Sequence, residues 1–167
     1  MELVIAPNGV LQIDNARITH KNFRGEGNPY NEKGKRNFSL IIPNEEIAEM
    51  LINEGWRVKV RPPREEGEEP FRYLPVKVQF NDFGPAVWLT SGNADHKLGE
   101  DEVHRLDRLG IERCDMDIRP YDWSRPDGSS GRSAYLQSIH VVQKVTDRFA
   151  ERFESRRDDD EPPFDVD

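Results

Sequence analysis

The sequence is poor in the residues that mark disulfide-stabilised, secreted and membrane proteins. Among 167 residues there is one cysteine, Cys114, so an internal disulfide cannot form and no Cys-x-x-Cys pair offers a metal or redox site. No stretch approaches the roughly 18 consecutive apolar residues of a membrane helix. The opening segment MELVIAPNGVLQID lacks a basic leader and a continuous apolar run. We therefore expect no signal peptide, no membrane partner and a cytoplasmic location.

Sequence signatures of catalysis are also missing. The chain has no phosphate-binding Walker loop, no Gly-x-Ser-x-Gly nucleophile motif and no His-Glu-x-x-His zinc motif, so we expect a protein without enzymatic activity, cofactor or metal. One alternative stays open. Asp115 and Asp117 lie two residues apart, would share a strand face, and could hold a divalent ion for a nuclease, with His96 and His104 as further candidates. The usual accompanying Glu-x-Lys is not found after this pair.

The negative charge is concentrated at one end of the sequence. The formal net charge is −8, and six acids lie within residues 158–167. The remaining residues, 1–157, therefore carry only −2. Because a nucleic-acid partner is attracted by a local basic patch, an acidic total does not exclude one.

Alternating apolar and polar residues predict a chain made mostly of short β-strands. Helices are predicted after an N-cap at Asn44, ending at Gly55, and over 99–110 and 146–157. Pro75 lies inside a predicted strand and favours an edge position or a bulge. The predicted strands are 10–18, 37–42, 56–62, 71–80, 86–90, 114–121 and 133–143.

This pattern indicates one mainly β domain over 1–155 followed by an acidic flexible tail over 156–167. Short antiparallel strands with inserted helices are typical of a small, closed or partly open barrel, and an OB-fold is the first choice. A generic α+β sandwich is the alternative. We expect Phe38, Trp56 and Trp88 to belong to the core, since each lies in a strand.

The segment 17–36 carries a local net charge of +4. It holds six cations against two acids, with Phe23 and Tyr30 interleaved and three glycines among them. Proteins that bind single-stranded nucleic acid without sequence preference need this mixture. Their cations follow the phosphates, and each base stacked on an aromatic face contributes about 1–3 kcal/mol of binding free energy. Strand 56–62 adds three cations, and the Gly/Ser loop 122–132 adds Trp123. The predicted nucleic-acid-binding residues are Lys21, Arg24, Tyr30, Lys33, Lys35, Arg36, Arg57, Lys59, Arg61, Trp123, Arg125 and Arg132.

The sequence ends in DDDEPPFDVD, an acidic run around one aromatic residue. This stretch resembles the C-terminal tip of bacterial single-stranded DNA-binding proteins, in which an acidic run leads to Asp-Asp-Ile-Pro-Phe. In that family the tip docks on replication and repair enzymes through its Phe and terminal carboxylate. Here Phe164 is followed by three more residues, so it does not carry the terminal carboxylate as the last Phe of that family does. The predicted partner-binding residues are Asp158, Asp159, Asp160, Glu161 and Phe164.

The body of the chain is similar, more loosely, to phage-type OB-fold single-stranded DNA-binding proteins. The resemblance implies a non-catalytic protein that coats single-stranded DNA during phage DNA replication, recombination or repair, in the host cytoplasm. A homo-oligomer is compatible with the sequence. The alternative from another class is an acidic inhibitor that mimics DNA, which would spread its acids over the folded surface.

Overall fold

A computed structural model describes residues 1–82 and 84–145. The predicted helix over 146–157 and the acidic tail lie outside the described residues. Within the described part, no helix is long and apolar enough to cross a membrane. The strands are β1 (Glu2–Ile5), β2 (Leu11–Asp14), β3 (Ile18–Asn22), β4 (Arg36–Ile41), β5 (Lys59–Arg61), β6 (Phe71–Val78), β7 (Ala86–Ser91), β8 (Ala94–Leu98), β9 (Ile111–Ser124) and β10 (Ser130–Gln143).

These strands form one mixed sheet in the order β1-β2-β9-β10-β6-β4-β3. β5 pairs with β6, β7 pairs with β10, and β8 pairs with β7. Most neighbours are antiparallel, but β10 is parallel to both β6 and β7. No pairing joins β1 to β3 among the described residues, so the sheet is not closed. The predicted mainly β, OB-like architecture is confirmed, with an open sheet in place of a closed barrel.

Two long strands, β9 and β10, form the centre of the molecule. Each has 14 residues, and they pair antiparallel almost from end to end. A register shift between Leu136 and Ser138 marks where β10 leaves β6 and begins to pair with β7. Because one strand serves both neighbours, the two halves of the sheet share one hydrophobic core.

The core lies under the inward face of this sheet and is closed by one helix. Phe23 and Phe38 are fully buried or nearly so and stack with ring centroids 5.4 Å apart. The helix α1 (Glu45–Asn53) buries Ala48 and Leu51 against the core. As predicted, Asn44 caps its first turn by accepting a hydrogen bond from the Ile47 backbone N–H, which would otherwise lack a partner. Gly55, just after the helix, has φ +95°, a value that glycine adopts without strain.

Several predicted elements differ from the structure at their ends. The predicted strand 10–18 is divided into β2 and β3, because Asn15 turns the chain with φ 54°. The predicted helix 99–110 is a short 3-10 helix, Val103–Asp107. Apolar residues three apart, Val103 and Leu106, fit a 3-10 helix as well as one α-helical face, since side chains at i and i+3 eclipse there. The predicted loop 122–132 is mostly strand, with a turn only at 125–129.

Two predictions about single residues were wrong. Trp88 is 43% exposed, because its neighbours Val87 and Leu89 take the inward positions of β7 and alternation turns Trp88 outward. Pro75 lies in β6, which is neither an edge strand nor bulged at this point, opposite Ser39 of β4. On the other side of β6, pairing with β5 ends at Tyr73 and pairing with β10 begins at Val76. A residue without an N–H is tolerated in that gap.

Candidate nucleic-acid interface

The outward face of the central strands carries a row of aromatic side chains. Register puts Tyr135 of β10 opposite Arg119 of β9 and Lys77 of β6, so all three side chains point to the same face. Alternation then places Tyr121 and Trp123 on that face in β9, and Phe71 and Tyr73 in β6. We call these five aromatic residues, Phe71, Tyr73, Tyr121, Trp123 and Tyr135, the aromatic platform.

The platform consists of two groups of rings. Tyr121 meets Tyr135 edge-to-face with centroids 5.9 Å apart, and Trp123 follows on the same strand. Phe71 and Tyr73 stack with centroids 5.5 Å apart. Tyr121 is 53% exposed, whereas Tyr73 is buried and forms part of the floor. Rings presented from strands are held at fixed spacing, as stacking on consecutive bases requires.

Cations accompany each group of rings. Arg119 lies 4.9 Å and Lys77 5.6 Å from the Tyr135 ring centroid, and Arg125 lies 5.0 Å from that of Trp123. Arg61 lies 5.4 Å from the Phe71 ring. Cations so placed can reach the phosphates of a strand whose bases stack on the rings.

Two clefts join this surface into one path. One, of about 340 Å³, contains Arg57, Trp123 and Arg125. The other, of about 490 Å³, contains Lys35, Arg36 and Phe80. Because both are lined by Lys77 and Tyr135, they meet at the middle of the aromatic platform.

The orientation of Trp123 depends on a glycine in the neighbouring strand. Gly131 pairs with Trp123, and a Cβ atom at Gly131 would lie 2.6 Å from the indole Cζ2. The ring therefore lies flat over the Gly131 backbone, and the guanidinium of Arg125 lies near its ring. A larger residue at 131 would lift the indole from this position.

The hairpin loop between β3 and β4, residues 23–35, is more ordered than its glycine content indicates. The Asn31 side chain donates hydrogen bonds to the carbonyls of Glu26, Glu32 and Lys35, at 2.9 to 3.2 Å. Asp107 accepts hydrogen bonds from the backbone N–H groups of Phe23 and Arg24, which ties the loop to the 3-10 helix.

The structure divides the predicted cations of this loop between several places. Tyr30 is 74% exposed and shares a cleft of about 580 Å³ with Lys21, Arg24 and Lys59. Lys21 donates from Nζ to the Leu109 carbonyl at 3.0 Å. Phe23, predicted as an interleaved aromatic, is fully buried and cannot stack a base. The loop's remaining predicted cations lie apart from Tyr30: Lys35 and Arg36 line the 490 Å³ cleft, and Lys33 is exposed and packs beside Gly27.

Arg132 does not face the platform. Its guanidinium donates to Asp122 at 2.7 and 3.1 Å and to the Glu54 carbonyl at 2.6 Å, and it lies 5.5 Å from the Trp56 ring. These contacts raise the pKa of Arg132, chiefly through the hydrogen bond to Asp122. Arg132 therefore ties the end of α1 to the β9–β10 pair.

Sequence reasoning missed seven residues of this surface. A signal for two of them was present, because Arg119, Tyr121, Trp123 and Arg125 recur at every second position as on one strand face. Pro120 favours an end of the predicted strand at 121, so the alternation beyond it is not recognised as part of a strand. The missed residues are Phe71, Tyr73, Lys77, Phe80, Arg119, Tyr121 and Tyr135.

Asp115 and Asp117 do not form a recognisable metal site. Asp115 accepts hydrogen bonds from the Asn15 backbone N–H at 2.8 Å and from Arg113 Nε at 3.2 Å. Burial raises its pKa, but these hydrogen bonds outweigh burial, so the pKa lies below its ordinary value. No group of three or more His, Cys, Asp or Glu side chains suited to a metal is found in the described part of the chain.

Comparison with known proteins gives a consistent result. The family model "Putative phage ssDNA-binding domain" matches residues 2–166. A solved single-stranded DNA-binding protein from bacteriophage Enc34 is similar in structure, with a TM-score of 0.53, 15% identity, and coverage of 87% of this chain and 92% of that one. A C-terminal truncation of the same phage protein has a TM-score of 0.52 and 14% identity, covering 86% and 91% of the two chains. None of the curated proteins matches significantly in sequence.

Proposed function

The chain belongs to the family of phage single-stranded-DNA-binding domains, and from this premise we propose that it binds single-stranded DNA on the aromatic platform. The observation that carries the assignment to this surface is Tyr135, whose ring is flanked by Lys77 and Arg119 and meets Tyr121 at its edge. Bases stack on the rings while phosphates run along the flanking cations. Stacking uses the π-face that every base has, so binding is without strong sequence preference.

The sheet also supports a preference for single strands over duplex. In a duplex the base faces are stacked on one another and are not offered to protein rings. The platform presents ring faces and edges, and a duplex leaves these rings no base face on which to stack. Affinity for single strands should fall as salt is added. A plot of the logarithm of the association constant against the logarithm of the salt concentration should have a slope of about −0.7 per phosphate contact.

The test is a fluorescence anisotropy titration of labelled single-stranded DNA, duplex DNA and single-stranded RNA with matched variants. Tyr121→Ala and Tyr135→Ala should each weaken single-strand binding by about 1–3 kcal/mol. Trp88→Ala is the matched control, because Trp88 is also exposed and has Lys97 5.9 Å from its ring, but on β7, away from the platform. Equal or tighter binding to duplex, or an equal loss with Trp88→Ala, would contradict the assignment.

We propose further that the protein is not an enzyme and that it acts in phage DNA replication, recombination or repair in the host cytoplasm. The engagement of Asp115 with Asn15 and Arg113 supports this, since a nuclease carboxylate must be available to a metal ion. Labelled single strand incubated with Mg²⁺ or Mn²⁺ should stay intact. Cleavage that is lost in Asp117→Ala would favour a nuclease.

The acidic tail, 158–167, is proposed to bind replication or repair proteins through Phe164 and the preceding acids. The composition of the segment supports this, because one aromatic residue among six acids offers an anchor for an apolar pocket with a basic rim. A homo-oligomer remains part of the proposal, and the mass of the free protein in light scattering tests it.

A further inference from the structure

In the 490 Å³ cleft next to the aromatic platform, one cation already forms an ion pair with a carboxylate. Arg36, at the start of β4, donates from Nη1 to Glu100 Oε1 at 3.1 Å. The Arg36 side chain is 21% exposed and that of Glu100 61%. The guanidinium also lies 5.6 Å from the Phe80 ring centroid, and its Nε is buried without a hydrogen-bond partner in the described part of the chain. The Arg36 side chain is thus mostly buried beside Phe80, whereas Glu100 reaches it from solvent.

The cleft around this pair leads directly to the middle of the platform. It is lined by Lys77 and Tyr135 as well as by Lys35 and Arg36. Among its described lining residues, Glu100 is the one acid against three cations. A strand that stacks on Tyr135 and continues toward Phe80 would bring a phosphate to this cleft.

The backbone that presents Glu100 is well anchored. The N–H groups of Glu102 and Val103 both donate to the Gly99 carbonyl at 3.0 Å, and Val103 is fully buried. The carboxylate is therefore supplied from a fixed turn and is not a chance contact of a loose loop.

We propose that Glu100 is a built-in counterion for Arg36, which occupies the place of a DNA phosphate and must be displaced when single-stranded DNA binds. This inference rests on the proposed function of the platform. The exchange is feasible because an exposed ion pair contributes only about 0.2–1 kcal/mol. Glu100 accepts a single hydrogen bond from Arg36, whereas a phosphate can accept two parallel hydrogen bonds from a guanidinium and so can take its place.

The consequence is a lowered affinity at one end of the path. Glu100→Gln should tighten single-stranded DNA binding by about 1.4- to 5-fold at low salt, which is the value of one exposed ion pair. Glu102→Gln is the matched control, since it removes the same charge from the same turn but has no side-chain hydrogen bond to the 3-10 helix and does not line the cleft. Its effect should be smaller.

A double-mutant cycle separates displacement from general repulsion of DNA by an acid. If Glu100 acts through Arg36, the gain from Glu100→Gln should disappear when Arg36 is replaced by Gln. The measurement is anisotropy with the same labelled single strand for all four proteins, with the folded state of each checked by circular dichroism. If Arg36→Gln does not fold, an equal gain from Glu100→Gln and Glu102→Gln still overturns the proposal.

The outcomes are distinct for the two proposals. The counterion proposal is supported if Glu100→Gln tightens DNA binding only in the protein that keeps Arg36, and by more than Glu102→Gln does. An equal gain from Glu100→Gln and Glu102→Gln, an equal gain in both Arg36 backgrounds, or no gain at all overturns it while leaving the platform in place. Failure of the unsubstituted protein to bind single-stranded DNA overturns both.

Discussion

At the residue scale, the proposed binding surface depends on the absence of a side chain at one position as well as on the presence of aromatic rings. Trp123 lies over Gly131 because no side chain there intervenes. The φ of Gly131 is outside the left-handed region, so Ala is compatible with the backbone and the constraint is the indole alone. A substitution at Gly131 therefore moves the Trp123 ring without removing it, so the effect of ring position can be measured separately from the effect of ring loss.

Gly131→Ala should displace the Trp123 ring and weaken single-stranded DNA binding by up to the ~1–3 kcal/mol of one stacked base. The expected result is weaker binding in anisotropy together with a changed tryptophan emission spectrum. Gly110→Ala is the control, because a Cβ there meets only Lys144 at an ordinary 3.5 Å. Unchanged affinity with a shifted spectrum would show that Trp123 contacts no base.

Asp115 allows a prediction about pH. Its pKa lies below the ordinary value because hydrogen bonds to Asn15 and Arg113 outweigh burial, so its stabilisation is present above about pH 4 and is lost as pH falls through the lowered folded-state pKa. Asp115→Asn should therefore lower the free energy of unfolding at pH 7 by about 0.5–1.5 kcal/mol. The difference should shrink in urea titrations near pH 2. Asp14→Asn serves as the control, and a loss that is equal at both pH values would contradict the argument.

At the scale of elements, the sequence predicted most strands but not which faces they share. Local alternation and the capping by Asn44 were sufficient to predict β4, β6, β10 and α1. The exposed Trp88 was missed because a short apolar run does not reveal which of its residues faces the core. The pairing of Tyr135 with Lys77 and Arg119 joins three strands that are distant in sequence, and no local pattern specifies it.

We propose that the hairpin loop 23–35 and the β9–β10 pair contact different parts of one DNA strand, so their contributions should be distinguishable by DNA length. Tyr30 lies in a cleft with Lys21 and Arg24, whereas Tyr135 lies at the centre of the platform. Tyr135→Ala should weaken binding of short and long oligonucleotides alike. Tyr30→Ala should cost about one stacked base only with an oligonucleotide long enough to reach the loop.

The measurement is a series of poly-dT oligonucleotides of increasing length with both variants and the double variant. If Tyr30 and Tyr135 contact different bases and share no partner, their losses should add with the longest DNA. Lys35→Ala should reduce the salt slope without removing a stacking contact, as expected for a phosphate contact. If Tyr30→Ala has no effect at any length while the fold survives, the loop is outside the path.

At the scale of the whole molecule, most of the net negative charge lies in the last ten residues. Residues 158–167 carry six acids, and the remaining residues carry −2. The cations of the platform and of the 490 Å³ cleft are gathered on one side of the sheet. We therefore propose that the acidic segment 158–167, being tethered to the domain, competes for the same cations at high effective concentration.

Deletion of 158–167 should tighten single-stranded DNA binding, most visibly at low salt, because the competitor is removed and salt screens its attraction. A variant with the six acids replaced by their amides keeps the length and should behave in the same way.

Phe164→Ala alters no charge, so it should leave DNA affinity nearly unchanged while losing capture of replication proteins in a pull-down. The partner affinity should be modest, since a short segment loses conformational entropy on docking. If the deletion leaves both DNA affinity and capture unchanged, the tail has neither role. If the amide variant binds DNA no better than the parent while the deletion does, the length of the segment and not its charge restrains the platform.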